Sequence, residues 1–323
     1  MMLNKDIAKA KEILQNNGLI AMPTETVYGL AGNAYSDEAI KKIFELKKRP
    51  FYNPLIVHLK SASSISDVAL DIPETALILA DKFWPGPLTL LLNKKDHVSD
   101  LITAGKKTVA VRVPNHPLAL AILDQIEFPL AAPSANPFGS ISPTSAEHVL
   151  NYFGQKIDLI LDGGECEKGL ESTIIGFENN NPILYRHGSI SMEDIEKITG
   201  KLSIITNSDT SPKSPGMLSR HYAPNTDTYL TNDVSEFLKN FKGKNIGLLL
   251  FKNTILINNN DNTIFYQEIL SKSGNYTEAA KNLYAAMHRL DQNKLDVIIA
   301  ERLSDEGLGK TINDKLERAT KKE

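Results

Sequence analysis

The sequence predicts an α/β protein of mixed α+β type, with a large mixed twisted sheet followed by a small Rossmann-like parallel α/β domain, and three observations carry the prediction. Up to about residue 200, strand-like apolar runs and amphipathic helices are interleaved without strict alternation, which favours a large mixed sheet over a doubly wound one. Residues 206–226 are rich in Ser, Pro and Asn and have little periodicity, as in a linker. Beyond them, strand and helix patterns alternate cleanly. The expected boundaries are 1–202, 203–228 for the linker, and 229–323.

In chain order, Asn4–Asn17 reads as an amphipathic helix, with Ile7, Ala10, Ile13 and Leu14 at helical spacing and Gly18 as its stop. Leu19–Met22 is a short buried strand ended by Pro23. Ser36-Asp37-Glu38 opens a second helix with acids where the helix dipole favours them, and Ile40, Ile43 and Phe44 form its buried side. Strands are expected at Leu55–Leu59, Leu88–Leu92, Thr108–Val113, Leu130–Ala132, Ile157–Leu161, Ser172–Gly176 and Ile183–Tyr185, with a helix over Leu118–Leu123. In the second domain the pattern gives a strand at Ile246–Phe251, a polar turn at Asn253–Asn262 and a strand at Thr263–Gln267. A helix at Tyr276–Leu290 follows, with Ala279, Ala280, Leu283, Ala286, Met287 and Leu290 inward, then a strand at Val297–Ala300 and a closing helix from Ile312 to Ala319.

Hydrophobic content of 41% and charged content of 23% are ordinary for a globular chain, and a net charge of −3 gives no global pull toward nucleic acid or membrane. Cys166 is the single cysteine, so neither an intramolecular disulfide nor a thiolate metal cluster is expected. The start, MMLNKDIAKAKEIL, has periodic charges rather than an apolar signal core, and no run of eighteen apolar residues occurs. A cytoplasmic protein without membrane association is expected.

Three polar segments stand at strand ends. PTETVYGL (Pro23–Leu30) leaves a buried strand through proline; its hydroxyls and carboxylate either satisfy a turn or belong to a site. KKRP (Lys47–Pro50) ends a helix with cations, which serve either the helix dipole or a phosphate-bearing ligand. PSAN (Pro133–Asn136), followed by Pro137, Ser140 and Ser142, holds hydroxyls on a proline-restricted backbone.

PTETVYGL, KKRP, NPLIVH, PGPLT, VRVP, PSAN, ESTI and YRHG follow one another in this order. In this the chain resembles the YrdC-like catalytic domain of threonylcarbamoyl-AMP synthases, over about residues 5–200. SPGMLSRHYAP and the closing GLGKTINDKLERA are similar to the long, two-domain form. The resemblance implies a nucleotidyltransferase that makes threonylcarbamoyl-AMP and pyrophosphate from L-threonine, bicarbonate and ATP. Its product would pass to the tRNA threonylcarbamoyl-transferase complex, for adenosine beside the anticodon. It also implies that Thr26, His58, Arg112, Ala132 and Ser172 hold threonine, and that Arg49, Asn53, Thr108, Ser134, Ser142 and Arg186 contact the nucleotide. Tyr222, in the linker, would reach back over it, and Lys47 and Asn136 would lie near the phosphates. One small departure is Ala31, where a second glycine or another small residue is frequent.

The implied chemistry suits these residue types. Threonine's amine takes up carbon dioxide as a carbamate, which attacks the α-phosphorus; neither step needs a protein nucleophile, and such transfers run on positioning and charge stabilisation. Arg112 is expected to pair bidentately with the threonine carboxylate, and Lys47, Arg49 and Arg186 to offset charge on the phosphates. Magnesium is expected with ATP, resting mostly on phosphates and water, and no acidic cluster stands out as a metal site. Several other features carry less. Ser304–Thr311 imitates a P-loop but has serine where glycine is required, Cys166 is incidental, and His288 is expected at the surface or rim. Leu161–Gly164 reads as a strand-end turn. Two competing readings are an RNA-binding accessory protein, from the cluster Lys41, Lys42, Lys47, Lys48 and Arg49, and a carbamoyl-handling domain of hydrogenase maturation proteins, whose zinc-finger cysteines this chain lacks.

Overall fold

The computed structural model describes residues 3–255 and 265–320. Its larger sheet has twelve strands among the described residues. Eleven run from edge to edge as Leu3–Asn4, Leu159–Leu161, Ile20–Met22, Gly29–Asn33, Leu130–Ala131, Ile56–His58, Thr108–Arg112, Leu88–Lys94, Thr173–Glu178, Asn181–Arg186 and Ser203–Ile204, and Ala69–Leu70 pairs with Leu88–Lys94. Parallel and antiparallel neighbours are mixed, as the irregular alternation predicts. The second sheet, Thr228–Thr231, Val297–Glu301, Ile246–Leu250 and Phe265–Ile269, is parallel throughout.

Local chemistry explains where elements start. Ser36 caps the helix Asp37–Lys47 by accepting from the Ala39 amide at 3.2 Å, and Lys48 ends it in the left-handed region at φ 53°. The first helix starts later than expected, at Ile7 behind an Asp6 cap, because Leu3–Asn4 is taken into the sheet beside Leu159–Leu161. Gly29–Asn33 is a strand that the sequence pattern conceals: it has two glycines and no β-branched residue, and pairing with Ile20–Met22 overrides its propensity. The helix Glu74–Phe83 was also concealed; its exposed Leu77 and Ile78 blur the periodicity. The second-domain strand expected at Thr263–Gln267 is seen at Phe265–Ile269; the turn expected at Asn253–Asn262 falls largely outside the described residues.

Two helices of the second domain pack against the first. Tyr276–Asp291 buries the expected Ala279, Ala280, Leu283, Ala286, Met287 and Leu290, and in addition Tyr284 and His288, because it packs on its own sheet and on the first domain. The closing helix, Leu308–Thr320, begins four residues before the expected Ile312 and takes in the last four residues of the P-loop-like stretch. There Thr311 donates to the Gly188 carbonyl at 3.1 Å and Lys310 lies 3.5 Å from Glu193, so neither is presented as in a phosphate loop. Residues 205–222, between Ile204 and the short bridge at Ala223, form no helix or strand, and they run as a strap back over the first domain. No helix among the described residues is long and apolar enough to cross a membrane.

Candidate active site

A cavity enclosing about 560 Å³ of empty space, part of it open to solvent, lies between the first domain and the strap. Nine of the fourteen expected residues line it: Thr26, Arg49, His58, Arg112, Ala132, Ser134, Ser172, Arg186 and Tyr222. The sheet gathers them. His58 and Arg112 are register partners at the ends of adjacent parallel strands, and Gly29 bridges Ser134.

In PTETVYGL the two readings divide by residue. Thr24 also borders the cavity, but its hydroxyl satisfies the turn: Oγ1 accepts from the Thr26 and Val27 amides at 3.2 and 3.3 Å and donates to the Val27 carbonyl at 2.6 Å. Thr26 faces the cavity. Glu25 turns the other way, its Oε1 2.6 Å from Nη2 of Arg112, and its Oε2 accepts from the Asn115 amide at 2.9 Å. The 2.6 Å contact is an ion pair off hydrogen-bond alignment, between side chains that are 1% and 4% exposed. Arg112 also donates through Nε to the Gly86 carbonyl at 3.2 Å. Its guanidinium is therefore fixed from behind, with donors left toward the cavity. Beside it, burial first and Arg112 second push His58 down to about 3, so its imidazole is neutral. His58 Nδ1 is buried without a hydrogen-bond partner among the described residues. This end of the cavity offers one cation and one neutral hydrogen-bonding ring, which suits a small carboxylate-bearing ligand.

The other end is cationic. Arg49 is held by the Asn53 and Pro54 carbonyls and by Asn53 Oδ1, at 3.1, 2.7 and 2.8 Å. Arg186 donates from Nε to the Ser172 carbonyl at 3.0 Å and from Nη2 to Ser172 Oγ at 2.9 Å. Burial, and then the charge of Arg186, push Arg49 down to about 9. A guanidinium that its neighbour's charge depresses in a closed space is relieved by an anion.

Five expected residues do not line the cavity. Lys47, 1% exposed, donates its ammonium to the carbonyls of Ser134 and Asn136, so it pins the Pro133–Pro137 loop and does not point at a ligand. Asn136 pins the same loop by donating to the Pro137 and Ser140 carbonyls, both at 2.9 Å. Asn53 holds Arg49. Ser142 is fully buried and donates to Glu171 Oε1 at 2.6 Å. Thr108 stands at the opposite end of its strand from Arg112, opposite Asn93, roughly 13 Å away at the usual strand rise. The cation cluster also separates, with Lys47 and Arg49 inward and Lys41 and Lys48 outward, so it is not one basic surface.

Sequence reasoning missed Glu25, Glu171, Gly216 and His221. Glu171 was legible as a lone acid opening the apolar ESTI run; Gly216 and His221 were inside a quoted linker motif but had no assigned role. Gly216 has φ 85°, and a Cβ there would lie 2.7 Å from Arg186 Cδ and 3.0 Å from the Tyr222 hydroxyl. Gly216→Ala is therefore expected to cost about 1–2 kcal/mol in backbone strain. By displacing Arg186 or Tyr222 it should also weaken anion binding at the cationic end several-fold, as read by calorimetric titration with pyrophosphate. An unchanged dissociation constant would show that neither side chain shapes the cationic end.

His288 corrects an expectation. It is 7% exposed, stacks on His148 at 3.9 Å, and brings Nε2 to 3.2 Å from the Ser142 carbonyl, because its helix docks on the first domain. Burial is the leading cause that pushes His148 down to about 3 and His187 and His288 to about 4, and it lowers His221 well below its usual range. With His58, five histidines are neutral in the fold yet titrate near 6.5 when unfolded. Between about pH 4 and 6.5 the unfolded chain binds more protons, so stability is fully present above 6.5 and declines as pH falls, by at most about 1.4 kcal/mol per pH unit per histidine. Urea midpoints should drop steeply from pH 7 to pH 5; a flat profile over that range would refute the burial of these rings. Cys166 is buried, and burial holds its thiol far above the usual range, in line with an incidental role.

Residues 12–188 match the family of Sua5, YciO and YrdC proteins described as "Telomere recombination", and residues 190–320 match that described as "Threonylcarbamoyl-AMP synthase, C-terminal domain". The threonylcarbamoyl-AMP synthase of Pyrococcus abyssi is 39% identical over 96% of this chain and 93% of its own. That of Bacillus subtilis is 39% identical over 97% and 92%. A crystal structure of P. abyssi Sua5 complexed with L-threonine superposes with a TM-score of 0.88 at 39% identity, covering 97% of this chain and 94% of that one.

Proposed function

We infer the reaction from a premise that these matches show: this chain belongs to the threonylcarbamoyl-AMP synthase family. It is a nucleotidyltransferase that forms threonylcarbamoyl-AMP and pyrophosphate from L-threonine, bicarbonate and ATP, the first step of threonylcarbamoyladenosine modification of tRNA. The observation that supports this most is a single cavity with two unlike ends, a carboxylate end at Arg112 and a cationic end at Arg49 and Arg186.

Threonine is read as lying with its carboxylate on Arg112, between Thr26, His58, Ala132 and Ser172. The neutral His58 ring orients it without competing for the carboxylate. ATP is read as lying toward Arg49, Ser134 and Arg186 under Tyr222, with Asn53 positioning Arg49, and Lys47 and Asn136 holding the Ser134 loop. Bicarbonate takes up a proton and loses water to give carbon dioxide, the amine adds to it and loses a proton, one carbamate oxygen bonds to the α-phosphorus, and the bond to pyrophosphate breaks. Arg49 and Arg186 offset the charge that leaves. Magnesium would ride on the phosphates. Glu171 is the one carboxylate among the cavity's lining residues, and both its oxygens already accept hydrogen bonds, so the described residues offer no acidic cage there. The domain division 1–202, 203–228 and 229–323 is part of this reading, with the strap as a lid. Delivery of the product to the tRNA threonylcarbamoyl-transferase complex, in the cytoplasm, completes it; weak RNA contact would fall to outward-facing Lys41 and Lys48.

The test is pyrophosphate release by the purified chain. Release should require threonine and bicarbonate together with ATP, and release from ATP alone at the same rate would end this reading.

A further inference from the structure

The second domain reaches the cavity wall through both of its packed helices, and the longer one meets a carboxylate there. On Tyr276–Asp291, Tyr284 and His288 are four residues apart and so share a face. The Tyr284 hydroxyl donates to Glu171 Oε2 at 2.8 Å, while Ser142 Oγ donates to Glu171 Oε1 at 2.6 Å. His288 grips the Ser142 carbonyl at 3.2 Å. The Tyr284 ring stacks on Tyr222 at 5.6 Å, and Tyr222 lines the cavity. Tyr284 and Ser142 are fully buried and Glu171 is 6% exposed.

A carboxylate in the wall of a cavity that admits triphosphate is a liability. Left free to rotate, Glu171 would point negative charge at the phosphates and compete for Arg186. Two hydroxyl donors, one from each domain, hold its two oxygens and keep the charge in the wall. Burial keeps the Tyr284 hydroxyl protonated, and hence a donor, at any working pH.

We propose that Tyr284 and Glu171 are positioning residues for the nucleotide half of the cavity, so that the second domain is itself part of the ATP site. This rests on the reading of the cavity as a threonine and ATP site. Tyr284→Phe removes one hydroxyl and keeps the ring that supports Tyr222. It is expected to raise the KM for ATP about tenfold, the factor expected of one hydrogen bond to a charged group, with kcat and the KM for threonine within about twofold of the parent. In a Glu171→Gln background the charge to be held is gone, so adding Tyr284→Phe should change the KM for ATP less than about twofold.

The experiment is steady-state pyrophosphate release by the full-length chain, its two single variants and the double variant, with unfolding midpoints for each. Equal ATP KM values for the parent and Tyr284→Phe would overturn the proposal. So would a tenfold effect that persists in the Glu171→Gln background, or ATP and threonine KM values that rise together with a fall in the unfolding midpoint. If Tyr284→Phe does not fold, His288→Leu against His288→Gln asks the same question: the leucine variant should raise the ATP KM and the glutamine, which keeps an N–H donor, should restore it, and equal values for the two would overturn the proposal. A parent chain that releases no pyrophosphate on threonine and bicarbonate would instead refute the underlying reading, and the two failures are distinct.

Discussion

Arg112→Ala is expected to raise the threonine concentration for half-maximal pyrophosphate release by about 100-fold, and to lower stability by about 3–5 kcal/mol, because it breaks two charge pairs at once. On the proposed placement of threonine, loss of the guanidinium leaves its carboxylate without a cationic partner at that end of the cavity. The same change strands Glu25, whose Oε1 stands 2.6 Å from Nη2 of Arg112 in a setting with almost no solvent. One substitution therefore mixes a binding effect with a folding effect, and a second variant separates them. Combining Arg112→Met with Glu25→Gln removes both charges and keeps much of the volume, and replacing a buried pair in this way is often neutral or stabilising. Urea midpoints of the double variant should recover toward the parent value while the threonine KM does not. A threonine KM within threefold of the parent in either variant would remove Arg112 from the threonine site.

Much of the site was legible because its residues come in short signatures at strand ends. Pro23 and Pro133 each mark where a strand hands over to a polar loop, and the sheet brings those loops to one place. The alternating second domain was legible for the same reason: buried strands and amphipathic helices have distinct periods. What was hidden depends on partners remote in sequence. Lys47 lies in a cationic signature and invites a phosphate, yet its ammonium is taken by two carbonyls of the Pro133–Pro137 loop. His288 sits on a helix with a polar remainder and looks exposed until the first domain covers it. Glu25 and Glu171 are isolated acids with no local partner, and their roles appear only when Arg112 and Tyr284 are folded against them. Spacing along one chain says which side chains share a face; it does not say which distant group will meet that face.

Arg318→Ala is expected to open the strap. Arg318 stands on the closing helix, 4% exposed, and ties together points that are about a hundred residues away in sequence. Its Nη1 donates to the Leu218 carbonyl at 2.6 Å, and its Nη2 donates to the Thr206 carbonyl and Asn207 Oδ1 at 3.1 and 2.9 Å. Asp314 fixes the guanidinium from its own helix, accepting from Nε at 3.0 Å. The Arg318 carbonyl accepts from the His221 amide at 3.2 Å, next to Tyr222. Beside this clasp, Lys315 donates to the His187 carbonyl at 2.8 Å and sets its ammonium 5.1 Å from the centre of the Tyr222 ring. Loss of three charge-assisted bonds, partly replaced by water, should lower the cost of local opening by roughly 2–4 kcal/mol. Cleavage between residues 206 and 220 by a nonspecific protease should then accelerate about 100-fold, and kcat/KM for ATP should fall by a similar factor, since Tyr222 and Gly216 leave the cavity together. Arg318→Lys should rescue little, because one ammonium does not reproduce a planar fork with acceptors on three sides. The contrast is Arg302→Ala. That arginine pairs with Glu317 of the same helix and with Asp305 at the surface, where such pairs are worth at most about 1 kcal/mol, and both readouts should stay near the parent values. If Arg302→Ala and Arg318→Ala alter cleavage equally, the closing helix acts only through general stability; if cleavage rises with Arg318→Ala alone, the helix is what holds the strap over the cavity.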